Sequence, residues 1–436
     1  MSSPKEKLAS CGLAVPEILM PETNIDLSKW AVIACDQFSS DKGYWQKVQQ
    51  YVDDSPSTLN MILPECYLDQ SEKRVPEINK TMRTYLNKGV LTAAGSGFVY
   101  MNRATSWVKS RKGLMVALDL EDYSYEKGAE CQIRPTEGTV LERLPVRAAI
   151  RENAVLDIPH ILVLFDDSEN KIFSLLDSKK AEMKNIYDFD IPGEGGHLTG
   201  YFVQDSSLID KLADIFVQLK EKSDFLFAVG DGNHSLGAAK QLWEKIKSQA
   251  GEDIMNHPAR WALVELENIH DPGLNFEPIH RVLFDLDRDS FLSDLKSFTG
   301  FQLEKALSFS DMKEKVNKLT KQSSTGLHTI GIVLKGSHYL LKMKNASVSL
   351  AAEAFHNFLD SWLIKNSNTE VDYIHGEEVL TELSSQDKNI GFYLPGIDKS
   401  SFFSLITKKG ALPRKTFSIG EAEEKRYYLE CRKIIR

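Results

Sequence analysis

The stretch Asp224-Phe-Leu-Phe-Ala-Val-Gly-Asp-Gly-Asn-His-Ser-Leu-Gly-Ala-Ala-Lys240 changes its hydrophobic period midway, and polar groups gather at the change. Phe225 to Val229 is an unbroken apolar run of strand length, the pattern of a strand buried on both faces. Gly230 and Gly232 bracket Asp231, and Leu236, Ala239, Trp243 and Ile246 then recur at helical spacing. The stretch is therefore predicted as a buried strand, a tight turn, and a helix from about Asn233, a good N-cap type, to about Lys247. Unpaired backbone N–H groups at that helix start, beside Asp231 and His234, form a nest that favours anions, phosphate above all. A carboxylate and an imidazole at the C-terminal end of a buried strand stand where open α/β sheets place their ligands. A plain glycine turn, in which Asp231 only orders the loop, is the competing reading of the same residues.

A second constellation lies in Arg134-Pro-Thr-Glu-Gly-Thr-Val-Leu-Glu-Arg143 and the residues after it. Pro135 and Gly138 frame Glu137, and Arg143, Arg147 and Arg151 recur at i, i+4 and i+8, which sets three guanidiniums on one helical face. Pro145 fits a helix only in its first turn, which can leave Arg143 outside. Guanidinium forks match phosphate and carboxylate geometry; the alternative is a solvated basic face paired with Glu142 and Glu152. Asp157-Ile-Pro-His160 closes the segment before the strand-like run Ile161 to Phe165.

Elsewhere, Tyr44, Val48 and Tyr51 mark a helix that stops at Asp53-Asp-Ser-Pro56. Gly97–Met101 and Gly113–Leu120 read as two strands with a polar connection. Beyond Arg281, an amphipathic helix with Phe291, Leu292, Leu295 and Phe298 leads to Thr329–Leu334 and His338–Met343, a hairpin joined by Lys335-Gly-Ser337. Residues 1–285 are thus expected to form the main α/β body, 286–370 a smaller α+β lobe, and 371–436 a C-terminal segment returning to the main body. Leu412-Pro-Arg-Lys-Thr416 is a cationic loop in that segment, where Arg414 and Lys415 either meet an anion or form an exposed turn.

With 436 residues, 42% hydrophobic and 26% charged, the chain is an ordinary globular sequence long enough for two or three lobes. Its net charge of −9, from 53 basic and 62 acidic side chains without a basic run, argues against a nucleic-acid partner. The five cysteines, Cys11, Cys35, Cys66, Cys131 and Cys431, are scattered, so neither a zinc knuckle nor a disulfide framework is expected. Gly193-Glu-Gly-Gly-His-Leu198 matches neither a Walker loop nor a dinucleotide fingerprint, and none of the ten histidines shows His-x-x-x-His spacing. No run is long enough to span a bilayer and the N-terminus does not resemble a signal peptide, so a soluble, cytoplasmic protein is the expectation.

Gly230-Asp-Gly-Asn-His-Ser235 resembles the Asp-Gly-His-His-Arg signature of the family called domain of unknown function 1015. Further blocks that resemble it are Arg134 to Glu142, Pro159-His160-Ile-Leu-Val-Leu164, Pro278-Ile-His-Arg281 and Leu412-Pro-Arg-Lys-Thr416. More distantly, the signature is similar to the phosphate-contacting turn of the ParB and sulfiredoxin-like fold, whose members include nucleotidases and a free-serine kinase. The resemblance implies a mixed sheet of α/β or α+β class around that turn. It also implies a ligand site drawn from Gly230, Asp231, Gly232, Asn233, His234, Ser235, Arg134, Glu137, Arg143, Arg147, Arg151, His160, Arg281 and Lys415. Ser235 stands where the family has Arg, and Asn233 where it has the first His. A phosphate site here therefore needs its cation from another residue.

The expected chemistry is phosphate transfer to a small metabolite, a hydroxy or amino acid such as serine, with ATP or ADP and Mg2+ as cofactors. Asp231 or Glu137 would act as general base or magnesium ligand, His234 and the turn amides would stabilise phosphoryl charge, and the arginines would neutralise the remainder. A phosphatase or nucleotidase, a non-catalytic nucleotide sensor and a metal-dependent hydrolase are the alternatives.

Overall fold

The computed structural model describes the chain except for residues 1, 35–40, 127, 139–143, 250–253, 323–325, 346 and 414. Cys35, Glu142, Arg143 and Arg414 thus lie outside the described residues. The chain divides into two compact units. The first holds Met1–Asn275, Ile406–Ala411 and Ile419–Arg436, and the second Phe276–Leu405 and Leu412–Ser418.

The first unit is built on a mixed sheet. Its strands in chain order are β1 (Phe98–Ala104), β2 (Arg111–Asp119), β3 (Ile133–Pro135), β4 (Leu162–Phe165), β5 (Lys184–Ile191), β6 (Gly196–Val203), β7 (Phe227–Asp231) and β8 (Trp261–Asn268). They lie side by side as β5-β6-β1-β2-β8-β4-β7-β3, with Leu13–Ala14 as a ninth, short strand beside β2. Of the run Phe225–Val229, expected to be a buried strand, Phe227–Val229 lies in β7, which starts two residues later than expected and extends to Asp231. This strand pairs antiparallel with β4 and parallel with β3, and Phe225, Phe227 and Val229 are all buried. The two expected strands Gly97–Met101 and Gly113–Leu120 form the antiparallel pair β1 and β2.

Alternation along β8 defines the two faces of the sheet. Val264 and Leu266 join one core with Phe227, Val229 and Phe165, over which helices α2 (Lys171–Lys179) and α3 (Ser206–Glu221) lay Phe173, Leu176, Leu212 and Phe216. Leu263 joins the opposite core with Met101, Met115, Leu198, Tyr427 and Leu429, the last two from the chain's C-terminal end. Two helices frame the turn after β7. Helix α1 (Leu144–Glu152) carries Pro145 in its first turn, where no N–H is needed, and packs on α4 (Asn233–Gln249), whose buried face includes Leu236, Ala239 and Trp243. Among the described residues, no helix is long and apolar enough to cross a membrane.

The second unit has a six-stranded antiparallel sheet of β9 (His280–Phe284), β10 (Phe301–Ala306), β11 (Leu327–Leu334), β12 (Ser337–Lys344), β13 (Glu370–Ile374) and β14 (Ile390–Tyr393), ordered β10-β12-β11-β14-β9-β13. The expected hairpin is β11 and β12, and Gly336 in its two-residue turn takes a φ of 69°, open to glycine without strain. A helix over Ala351–Lys365 packs Phe355, Phe358, Leu359 and Trp362 against Phe291, Ile330, Ile332 and Phe392. The division of the chain differs from the sequence expectation. The second unit begins at Phe276, and residues 371–405 stay in it, because β13 and β14 bond to β9 and so bury Ile374, Ile390 and Phe392 there.

Candidate functional site

The turn after β7 is held in a conformation that only glycine enters easily. Gly232 has a φ of 82°, and a Cβ there would lie 3.1 Å from Ile161 Cα; a Cβ on Gly230 would lie 2.6 Å from Ile419 Cδ1. Gly232 rather than Asn233 takes the cap position. Its carbonyl accepts from Leu236 N at 3.0 Å, Asn233 is the first helical residue, and half-buried His234 is the second. The N-terminal amides of α4 therefore open beside Asp231, whose Oδ1 already accepts from Gly232 N at 2.8 Å. Asn233 Oδ1 is buried with no hydrogen-bond partner among the described residues.

Glu137 comes to the same sheet end through strand pairing. Pro135 pairs with Val229 in parallel register, and Thr136 Oγ1 donates to Val229 O at 2.6 Å. Two residues past Pro135 is Glu137, and two past Val229 is Asp231. The paired register ends there: the chain bends at Thr136 and β7 is irregular between Val229 and Asp231, so Glu137 and Asp231 each follow the last paired residues of these two strands. Arg134, the residue before Pro135, has its guanidinium 4.6 Å over the Phe225 ring and its Nε donating to Cys131 O.

The cation nearest to Asp231 among the described contacts is Lys425, a residue the sequence reading did not single out. Its Nζ lies 3.4 Å from Asp231 Oδ2 and donates to Ile419 O at 2.9 Å. Lys425 is buried, and its backbone is fixed from below. Arg103 donates to the carbonyls of Glu423, Glu424 and Lys425, and Arg111 to that of Glu424. Three residues on, Tyr428 OH meets His160 Nδ1 at 2.9 Å, and His160 Nε2 meets Ser235 Oγ at 3.1 Å. One short segment thus reaches both the carboxylate and the helix start of the glycine turn.

The arginine face is occupied differently from the sequence expectation. Arg147 forms an ion pair with Glu65, and Arg151 Nη1 lies 2.7 Å from Asp157 Oδ1. Burial works to raise the Asp157 carboxyl, but Arg151 and Arg432 outweigh it and hold it below its ordinary value. These contacts engage two of the three guanidiniums with carboxylates of the fold; the third, Arg143, is outside the described residues. Arg281 belongs to the second unit, fully buried, with its guanidinium 4.8 Å over the Tyr373 ring and Nε donating to His356 Nε2 at 3.2 Å. Lys415 lies in the second unit's Leu412–Ser418 segment with a φ of 55°.

Beneath Lys425, the sheet face carries buried charge. Arg426 Nε lies 2.9 Å from Glu265 Oε2 and its Nη2 2.5 Å from Glu430 Oε2, while Arg111 Nε lies 3.0 Å from Glu267 Oε1. Gly113 leaves the space for Glu265, since a Cβ there would sit 2.1 Å from Glu265 Oε1. Burial, with the neighbouring Glu265 adding to it, pushes the Glu267 carboxyl up to about 8 against the pull of Arg111. Alternating Glu265 and Glu267 in an otherwise apolar strand was the available sequence signal that this face meets cations.

The model of the family described as protein of unknown function (DUF1015) matches residues 19–362, most of the chain, and the chain belongs to that family. No curated protein matches it. Its fold is similar to several solved structures. A free serine kinase variant in complex with ADP is 11% identical, with 72% of this chain and 91% of that chain covered and a TM-score of 0.40. A conserved hypothetical protein from Pyrococcus furiosus is 11% identical, with 74% and 95% covered and a TM-score of 0.38. SbnI with a C-terminal truncation, from Staphylococcus aureus, is 9% identical, with 70% and 82% covered and a TM-score of 0.36.

Proposed function

We propose that this member of the DUF1015 family handles phosphate at the Gly230–Ser235 turn, transferring a phosphoryl group from a nucleotide, ATP or ADP, to the hydroxyl of a small hydroxy or amino acid. The observation that carries the reading is the meeting of Asp231 with Lys425 at the start of α4. A helix N-terminus supplies oriented amides and partial positive charge, and an ammonium group supplies the full charge that Ser235 cannot. In this reading Lys425 and the amides of α4 hold the phosphates, and Asp231 or Glu137 takes the proton of the attacking hydroxyl. The two carboxylates also fit magnesium, which keeps water and phosphate oxygens as most of its ligands and needs few from protein. Among the described residues no group of three or more His, Cys, Asp or Glu side chains gathers as a metal site. The acceptor class comes from the signature's resemblance to a fold group that includes a free-serine kinase.

The test is a thermal-shift panel of ATP, ADP and AMP with and without magnesium, followed by an assay of phosphoryl transfer to serine and related hydroxy acids. Stabilisation by a nucleotide and acceptor-dependent product are expected, since binding to the native state alone raises the melting temperature. Phosphate release that ignores the organic acceptor would move the activity to a phosphatase, and no response to any nucleotide would sink the reading.

A further inference from the structure

The hydroxyl of Ser235, the imidazole of His160 and the phenol of Tyr428 form a continuous hydrogen-bonded line that phosphate binding alone does not require. His160 Nε2 lies 3.1 Å from Ser235 Oγ, and His160 Nδ1 lies 2.9 Å from Tyr428 OH. These are the three parts of an activated nucleophile: a hydroxyl, a base within hydrogen-bond reach, and a third group that orients the base. The line is anchored at both ends. Ser235 is in the first turn of α4, so its side chain leans back towards the helix start. Tyr428 is buried, paired in register with Val32, and its ring stands edge-on to His160 at 5.3 Å between centroids. His160 itself precedes Ile161, the residue against which Gly232 packs, so the turn and the imidazole are positioned by the same contact. Ser235 and His160 remain half-buried rather than sealed, as a group that must meet a ligand has to be.

Resting on the phosphate reading above, we propose that Ser235 is the nucleophile of a two-step transfer that passes through a phosphoserine. In the first step Ser235 Oγ attacks the terminal phosphorus of the nucleotide. The Oγ–P bond forms, the bond from phosphorus to the bridging oxygen breaks, the shortened nucleotide leaves with that oxygen's electron pair, and the Oγ proton passes to His160 Nε2. This step requires the His160 tautomer with its proton on Nδ1, donated to the Tyr428 oxygen, which leaves Nε2 as the acceptor. In the second step the acceptor hydroxyl, deprotonated by Asp231 or Glu137, attacks the phosphoserine, and Oγ recovers its proton from His160. Ser235 and His160 are catalytic residues in this scheme, and Tyr428 is a positioning residue.

The experiment mixes the full chain with magnesium and ATP, without acceptor, quenches in acid during the first turnover and reads intact mass and peptide masses. Nucleotide-induced thermal stabilisation is measured in parallel. The expected result is stabilisation together with a mass gain of one phosphoryl group mapped to Ser235. The label should be absent in Ser235→Ala, present at the same position in Ser235→Thr, slowed about 100-fold in His160→Gln, and discharged from the wild type by adding serine. Tyr428→Phe should slow labelling while leaving the nucleotide-induced stabilisation in place, a split that a merely structural role would not give. Stabilisation with no label at Ser235, or with labelling indifferent to His160→Gln, overturns the nucleophile and leaves the phosphate reading standing. Neither stabilisation nor label overturns both.

Discussion

Lys425 Nζ stands 3.4 Å from Asp231 Oδ2, joining a residue close to the C-terminus to the glycine turn in the middle of the chain. The contact places a buried ammonium beside a strand-end carboxylate and a helix N-terminus, and it makes Lys425 the first residue to change. Lys425→Met, which keeps most of the apolar stem, should weaken nucleotide binding at least tenfold, about 1.4 kcal/mol. Isothermal titration of the variant with ADP and magnesium checks this. Unchanged affinity would assign the ammonium to holding Asp231 and the Ile419 carbonyl, with no part in the ligand.

Asp231→Asn should remove most turnover, or most nucleotide-induced stabilisation, while the free protein melts at nearly the same or a slightly higher temperature. Functional sites commonly carry a local cost to stability that their removal relieves. A purely structural Asp231 would behave oppositely, because Asn keeps an oxygen for the Gly232 amide but removes the charge that faces buried Lys425, at about 1–3 kcal/mol. Melting temperature and activity measured on the same sample separate the two outcomes.

Arg151→Ala should destabilise the first unit by about 3–5 kcal/mol, since Asp157 is buried and would lose its main countercharge. Arg147→Ala should cost less, because both Arg147 and Glu65 are partly exposed. Urea unfolding of both variants measures the difference. A stable Arg151→Ala protein that no longer responds to nucleotide would return this arginine to the ligand.

Gly230→Ala should cost about 1–3 kcal/mol, the usual penalty for overpacking, because its methyl would press on Ile419 Cδ1 and Leu164 Cγ. Adding Ile419→Ala should recover part of that loss by opening the space. A double variant no more stable than Gly230→Ala would mean that Leu164, and not the side chain of Ile419, sets the constraint.

Two buried groups, one in each unit, should shift stability with pH in opposite directions. In the second unit, burial and the neighbouring Arg281 lower His280 to about 3, and its Nδ1 accepts from Leu394 N at 3.2 Å. Burial lowers His356 as well. Below pH 6.5 the unfolded chain takes up protons that the folded unit refuses, so stability falls as pH drops from about 6.5 towards 3, by up to about 1.4 kcal/mol per proton and pH unit. In the first unit Glu267, raised to about 8, holds a proton that the unfolded chain gives up above its ordinary value of 4.5. Its contribution is complete below 4.5 and is lost as pH rises through 8. Hydrogen exchange at pH 5, 7 and 8.5 should show β9 and β14 opening more readily in acid and β8 more readily in base; His280→Gln should flatten the first trend and Glu267→Gln the second.

Local order was legible without the structure. The apolar run Phe225–Val229 and the helical spacing after Gly232 specify β7, its turn and α4, because burial of a periodic face is a property of neighbouring residues alone. The same holds for the β11–β12 hairpin and for Pro145, which could only stand in a helix's first turn. The motif singled out Asp231, His160 and Ser235 as candidates, and the turn beside it singled out Glu137.

What the tertiary structure alone decided is which distant charge meets which. Lys425 and Tyr428 carry no periodic mark of their role, and Arg147 and Arg151 on one helix face look alike from sequence whether they await a phosphate or face Glu65 and Asp157. Likewise, the sequence reading placed residues 371 onward with the main body, whereas β13 pairs with β9, and β14 with both β9 and β11, in the second sheet. Side-chain period records only that a residue is buried or exposed; the identity of a partner hundreds of residues away depends on the path of the whole chain, which only the folded packing of both faces of each sheet determines.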